Sequence, residues 1–394
     1  MAHCARLGAV AYRAGGSRGF ATTRAWRWGN PVAGTFGSKT PEVQDTPLEI
    51  PKPNDGEFTS VAVGTNHSAF VCNGEVYSWG SKEYGVLGHS GVDNRNPTKV
   101  EFDGVPLAIS LGDYHSSILT KDGKLYNWGW GGSFLGGCGA LGLGDKTATE
   151  LPTLVDTLDD VRVSKMSCGQ AHMLALGDDN QVYATGSGEY GKLGLGDTQD
   201  EASFAVVDFL DEQGEKCEIK KVQCASSFSG ALSTEGKLFL WGRNDQGQMG
   251  LGEESMVDIY SVERTPIPVK SHQFLDFAVG ASHVVALTDS NEVYIWGART
   301  WLDPRKIVPS LEERSGDADS IPKIVKVAAG NMCSFLVTEC GQMWTWGQAK
   351  NKTMGIGGKE NILQPTRASP DMFDGGKVID LVVGQNRAAA ITQH

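Results

Sequence analysis

"EVYSWGSKEYGVLG", residues 75–88, joins a strand-like run of aromatic and β-branched residues to a loop rich in glycine. The phrase returns as "KLYNWGWGGSFLGGCGALGLG" (124–144), "QVYATGSGEYGKLGLG" (181–196), "KLFLWGRNDQGQMGLG" (237–252), "EVYIWGARTWL" (292–302) and "QMWTWGQAKNKTMGIG" (342–357). A phrase that recurs at a near-constant spacing is the mark of a chain that builds its core by repetition, which decides the fold before any single motif does.

The glycines that end the aromatic runs are Gly29, Gly80, Gly129, Gly186, Gly242, Gly297 and Gly347, at intervals of 51, 49, 57, 56, 55 and 50 residues. A second landmark precedes each by 16 or 17 residues: Gly64, Gly112, Gly169, Ala225, Gly280 and Gly330, with Gly384 left over at the end. Between landmarks, as in "LGDYHSSILTKDGKLYNWG", an alternating strand, a two-residue turn such as Asp122-Gly123 and the aromatic strand make a hairpin. With the loop and a further strand, each unit supplies about four short strands, the pattern of a propeller blade. The predicted fold is all-β, a seven-bladed β-propeller. Six of the seven residues before the landmark glycine are Trp28, Trp79, Trp128, Trp241, Trp296 and Trp346, with Thr185 as the exception, and these rings are expected to pack between blades. The final "VVGQNRAAAITQH" is half a unit and "AWRWG" near the start is the other half. The ring is therefore expected to close by pairing the N- and C-terminal strands in one blade, which removes its open edges.

The recurring Gly-x-x-His, Ala-Leu-Thr, Gly-x-Val-Tyr-x-Trp-Gly and Gly-x-Leu-Gly-x-Gly elements resemble the repeat of the regulator of chromosome condensation family. That resemblance covers nearly all of the chain after the leader. It implies seven-bladed propellers, and with the leader and acidic body it points to the family's mitochondrial members.

Up to Thr40 the chain has no acidic residue but carries Arg6, Arg13, Arg18, Arg24, Arg27 and Lys39, a charge of +6. An Arg-rich, acid-free, Ser/Thr/Ala-containing leader has the composition of a mitochondrial transit peptide, and "SRGFATT" suggests cleavage after Phe20. Residues 1–20 are read as that peptide and 21–394 as a single propeller with variable loops at 130–140 and 298–321. The location implied is the mitochondrial matrix or the matrix face of the inner membrane. Setting aside the +6 of residues 1–40 leaves −18 on the rest of the chain, so direct nucleic-acid binding is not expected. No apolar run approaches the ~18 residues of a transmembrane helix. The eight cysteines form no Cys-x-x-Cys pair and read as free thiols in a reducing compartment.

Two features imitate chemistry. "GSGEYGKL" (186–193) spells Gly-x-Gly-x-x-Gly, yet it aligns with the other inter-strand loops, and a nucleotide loop must open a helix. His67, His115, His172 and His283 all stand three residues after the first landmark, one per blade, so they do not converge on a metal. Each is expected to hydrogen-bond backbone within its own blade. No catalytic grouping, metal site or cofactor is expected, and the chain is read as a non-enzyme.

Trp130 and Trp301 fall outside the repeat pattern. Both follow a landmark glycine within four residues, so both are placed on the loop face, three blades apart. With Phe134 and Arg305 beside them they are candidate partner contacts, and the open alternative is that the rings fold onto the propeller's own surface. The function expected is a protein-interaction propeller in mitochondria, a subunit or assembly factor of a respiratory, ATP-synthase or mitoribosomal complex. The alternative implied by the resemblance is guanine-nucleotide exchange on a mitochondrial GTPase. The β-wedge and acidic contacts through which the nuclear exchange factor works have no recognisable counterpart here.

Overall fold

The computed structural model describes residues 22–29, 44–91, 95–133, 137–158, 160–211, 213–252, 262–269, 272–308, 321–348, 352–358 and 360–394. Among them the strands form seven four-stranded antiparallel sheets and one two-stranded ribbon, Gly132–Ser133 with Gly137–Cys138. Blades 1–7 begin with the inner strands Phe58–Val63, Pro106–Leu111, Val163–Cys168, Ile219–Cys224, Phe274–Val279, Ile324–Ala329 and Lys377–Val383. Each inner strand lies against the next, and the seventh against the first, so the ring is closed.

Blade 7 is built from both ends of the chain, as the split repeat predicts. Thr23–Gly29 pairs antiparallel with Arg387–Gln393, in register from Thr23 opposite Gln393 to Gly29 opposite Arg387. Trp26 Nε1 donates to Thr392 Oγ1 at 2.7 Å across this join.

An inner strand has one side without a sheet partner, and its N–H groups must be satisfied some other way. The preceding blade supplies acceptors. Ser110 Oγ accepts from Cys168 N at 3.0 Å, Ser167 Oγ from Cys224 N at 2.9 Å, Gln223 Oε1 from Val279 N at 3.0 Å and Asp276 Oδ2 from Val327 N at 3.1 Å. Lys221–Asp276 adds an ion pair across the seam of blades 4 and 5, and Lys326–Asp380 does so between blades 6 and 7.

The landmark glycine is required by geometry. Gly80 sits at φ 126°, and a Cβ there would lie 2.6 Å from Asn66 O and 2.7 Å from His67 Cα. The tryptophan before it is buried against the neighbouring blade, with Trp28, Trp128, Trp241 and Trp296 fully excluded from solvent. Its indole N–H reaches back to the loop of the preceding blade: Trp128 to Val86 O at 2.8 Å, Trp241 to Lys192 O at 2.9 Å, Trp296 to Gln248 O at 2.8 Å and Trp28 to Thr353 O at 2.6 Å. Thr185, the one non-Trp, does not copy this bond: its hydroxyl lies 2.9 Å from Glu201 O in its own blade and 3.2 Å from Gly139 O of the preceding loop, one residue before the equivalent of Val86. Blade 5 has no such loop. Its "GART" turn has Ala298 and Arg299 both at φ 54° and closes at once onto Trp301, leaving the buried Trp346 Nε1 without a partner.

The histidines also bond across the seam rather than within their own blade, which corrects the expectation. His67 Nε2 lies 2.8 Å from Ser116 Oγ, His172 Nε2 2.9 Å from Ser229 Oγ and His283 Nε2 3.0 Å from Ser334 Oγ, each serine belonging to the next blade. Ser116 and Ser229 donate onward to Val86 O and Lys192 O, so their hydroxyl protons are used and the imidazole must be the donor through Nε2. His115 departs from this pattern: blade 3 offers Met173 where a serine stands elsewhere, and neither ring nitrogen has a partner. Blade 4 solves the same problem with an apolar pair, Phe228 facing blade 5, where Val284 takes the serine's place.

Two predictions follow from these seams. Trp241→Ala removes a fully buried indole and its hydrogen bond, and should cost about 3–5 kcal/mol in urea unfolding, whereas Leu363→Ser, at a side chain 81% exposed, should change stability by under about 0.5 kcal/mol. Burial holds His67 down at about 3 and His115 and His283 at about 4, against an ordinary 6.5, with His172 also far below. Between pH 6.5 and about 4 the unfolded chain binds protons that the native state refuses, so stability falls with falling pH by about 1.4 kcal/mol per pH unit for each histidine. His115→Phe should remove one such contribution, flattening the acid limb of stability against pH while leaving stability at pH 7 unchanged or higher.

Candidate functional site

The inner strands end on one face, where the aromatic strands also end, and there the ring opens into an axial mouth. Its lining takes three residues from every blade, from Val63, Gly64 and Thr65 round to Val383, Gly384 and Gln385, around a cavity of about 100 Å³. The glycines set how closely the blades converge: a Cβ on Gly112 would stand 2.3 Å from Gly169 O in the next blade. The third lining position carries Thr65, Asp113, Gln170, Ser226, Ala281, Asn331 and Gln385. Gln385 reaches across the mouth from blade 7, its Nε2 donating to Asp113 Oδ2 at 3.0 Å and to Ser226 Oγ at 3.0 Å. Thr65 Oγ1 also donates to the Asp113 carboxylate. Burial pushes the Asp113 carboxyl above its ordinary value, and these two hydrogen bonds pull the other way.

Beside the mouth lies an aromatic run that the sequence reading missed. Tyr114 follows Asp113 directly; its ring meets Trp130 edge-on at 5.6 Å and Tyr84 edge-on at 5.0 Å. Tyr84 is half exposed and sits at φ 63° in the "EYG" turn. The enlarged loop supports this cluster: its Cys138 and Ala140, with Ala171 of blade 3, pack against Tyr114 and Trp130, and Cys138 Sγ bonds Ala171 O at 3.3 Å. The signal available in the sequence was that Tyr84 and Tyr114 flank a mouth-lining position or an inter-blade loop, not a strand. Neither residue stands out until blades 1 and 2 are placed side by side.

Trp130 is therefore half-buried and shared between the surface and its own support. Trp301 is not part of the cluster. It begins the outer strand of blade 5, Trp301–Val308, opposite Gly297, and packs into the seams on either side. The segment expected to be a long charged loop from 298 is thus in its first half a strand, whose Arg305 is exposed opposite Ile295. Phe134 and residues 309–320 lie outside the described residues.

The "GSGEYGKL" segment opens only a three-residue 3₁₀ turn, Glu189–Gly191. Lys192 is 2% exposed, and its carbonyl, not its ammonium, carries the loop's role by receiving Trp241 and Ser229. Among the described residues no group of three or more His, Cys, Asp or Glu is arranged to hold a metal, and no helix is long and apolar enough to cross a membrane.

Comparison with known proteins agrees with this architecture. Residues 132–394 match the RCC1-like domain and residues 73–119 the regulator of chromosome condensation (RCC1) repeat. The chain is 30% identical over 298 residues to the human E3 ubiquitin-protein ligase HERC2, covering 72% of this chain but 6% of the ligase. It is 26% identical over 410 residues to the RCC1 domain-containing protein RUG3, mitochondrial, of Arabidopsis thaliana, covering 94% of this chain and 88% of that protein. The crystal structure of Prp20p from Saccharomyces cerevisiae superposes with a TM-score of 0.78 at 21% identity, covering 94% of this chain and 91% of that one. With two thirds of its length matched by the family's domain and seven blades in a closed ring, the chain belongs to the RCC1-like domain family.

Proposed function

We propose that the chain is a non-catalytic protein-interaction propeller of mitochondria, a subunit or assembly factor of a larger complex that it joins through its loop face. The observation that carries this is the run Tyr84–Tyr114–Trp130, a partly exposed aromatic cluster on a rigid ring beside a polar mouth. Aromatic side chains lose little conformational entropy on binding and bring large apolar area, which is why they anchor interfaces. The location is supported by the Arg-rich, acid-free leader and by likeness along most of the chain to RUG3, whose name assigns that protein to mitochondria.

A second reading, nucleotide exchange on a mitochondrial GTPase, is supported by the family resemblance. Exchange needs only tighter binding to the nucleotide-free partner, so it calls for no catalytic residues in the propeller.

Affinity purification of the tagged chain from mitochondria in mild detergent, followed by native-gel sizing, should recover it in an assembly far larger than the 42.1 kDa chain. Tyr84→Ala, at an exposed ring, should lower that recovery about tenfold without changing the unfolding midpoint. Migration as a lone monomer, or recovery indifferent to Tyr84, would sink the assembly reading. Acceleration of nucleotide release from a co-purifying GTPase would establish exchange in its place.

A further inference from the structure

We propose that the axial mouth receives the guanidinium of an arginine-bearing segment of a partner protein, with Asp113 as counter-ion and the rings of Tyr114 and Trp130, outside the lining itself, as an aromatic rim beside it. The proposal rests on the interaction reading above and gives that interface its chemistry.

Charge is the first argument. Of the residues that line the mouth, three from each of the seven blades, Asp113 alone bears a charge at neutral pH. At the six equivalent positions stand Thr65, Gln170, Ser226, Ala281, Asn331 and Gln385, all neutral. Among the described residues no cation pairs with this carboxylate, the buried Arg387 bonding the Thr65 carbonyl instead; its side-chain contacts are the Thr65 hydroxyl and the Gln385 amide. A carboxylate oxygen accepts about two hydrogen bonds, so two neutral donors leave capacity for a charged, forked one.

Size is the second. A cavity of about 100 Å³ lies well below the ~300–1,000 Å³ of pockets that enclose metabolites or cofactors. It suits the head group of one side chain delivered by a larger body outside.

The rim beside the mouth selects among cations. Tyr114 does not line the cavity but follows Asp113 directly in the chain, and Trp130 and Tyr84 meet its ring at 5.6 and 5.0 Å. Planar guanidinium stacks on aromatic faces while bonding carboxylate through its edge, which a compact ammonium cannot do in the same way. The rim is particular to blade 2, because it stands on the enlarged loop after Gly129 that the other blades of this chain lack.

The test uses the purified full chain and three capped pentapeptides, Gly-Gly-Xaa-Gly-Gly with Xaa arginine, lysine or citrulline, titrated by NMR. The arginine peptide is expected to saturate in the millimolar range, the lysine peptide to bind more weakly, and the isosteric but neutral citrulline peptide to bind about tenfold or more weakly. Asp113→Asn should abolish the preference for arginine over citrulline. Asp122→Asn, at an exposed hairpin turn, should leave it intact. Should Asp113→Asn fail to fold, Trp130→Leu serves instead and is expected to erase the preference for arginine over lysine. Absence of saturable binding, equal affinity for citrulline, or a preference unmoved by these changes would overturn the proposal. A chain that ignores the peptides yet still enters its large assembly refutes the pocket alone, and one that binds them but migrates as a monomer refutes the assembly reading alone.

Discussion

The contact on which most of the ring depends is a loop carbonyl that receives the tryptophan of the next blade. Val86 O accepts both the Trp128 indole and the Ser116 hydroxyl of the next blade, and Lys192 O accepts Trp241 and Ser229 in the same way. A carbonyl has two lone pairs, and here both are used by one neighbour, so the angle between adjacent blades is fixed by two bonds that must be made together. The histidine then locks the serine from behind, as His67 does Ser116. Apolar burial brings the blades together; this buried polar knot sets how they meet, because a donor left without its acceptor inside the seam costs about 1–3 kcal/mol.

Much of this was legible in the sequence because repetition converts one local rule into seven observations. The landmark glycine, the Trp before it and the hairpin turn recur in order, and the two half-units at the ends specify the composite blade that Trp26 and Thr392 join. What could not be read was which blade each side chain serves. His67 and Ser116 are 49 residues apart and belong to different units, so a pattern aligned unit by unit places them at separate positions and hides their contact. The pairing is visible afterwards as covariation along the ring: histidine opposite serine, Phe228 opposite Val284, with His115 opposite Met173 as the mismatch. The aromatic cluster escaped for the same reason, since Tyr84, Tyr114 and Trp130 come from different repeat positions in adjacent blades. The sequence places Trp301 on the loop face with packing onto the propeller's own surface left open, and the structure takes the second course because the loop before it is shortened. The tight Ala298-Arg299 turn pulls the outer strand forward, so a residue counted as loop became strand.

Blade 5 shows how the ring tolerates a missing part. Without the glycine loop, Trp346 keeps its burial and loses its acceptor, and Ser334 still receives His283 but has no loop carbonyl to bond onward. The seam between blades 5 and 6 keeps the apolar packing of Leu287, Val293, Val327 and Trp346, the His283–Ser334 contact, and the hydrogen bonds from Val327 N to Asp276 Oδ2 and from Ile324 N to Asn291 Oδ1. What it lacks is the shared loop carbonyl.

The composite blade has a kinetic consequence. Every other blade pairs strands close in sequence, but the contact of Trp26 with Thr392 spans 366 residues, and closing a loop of that length costs on the order of 5 kcal/mol in chain entropy. Six blades can form as the chain is made, while the latch waits for the strand Arg387–Gln393, and until then the arc presents two raw strand edges of complementary shape. A second arc can satisfy those edges as well as the chain's own end can. Assembly at high concentration therefore runs a race between a closed monomer and strand-exchanged copies, and whatever holds the two ends of one chain near each other during synthesis decides it.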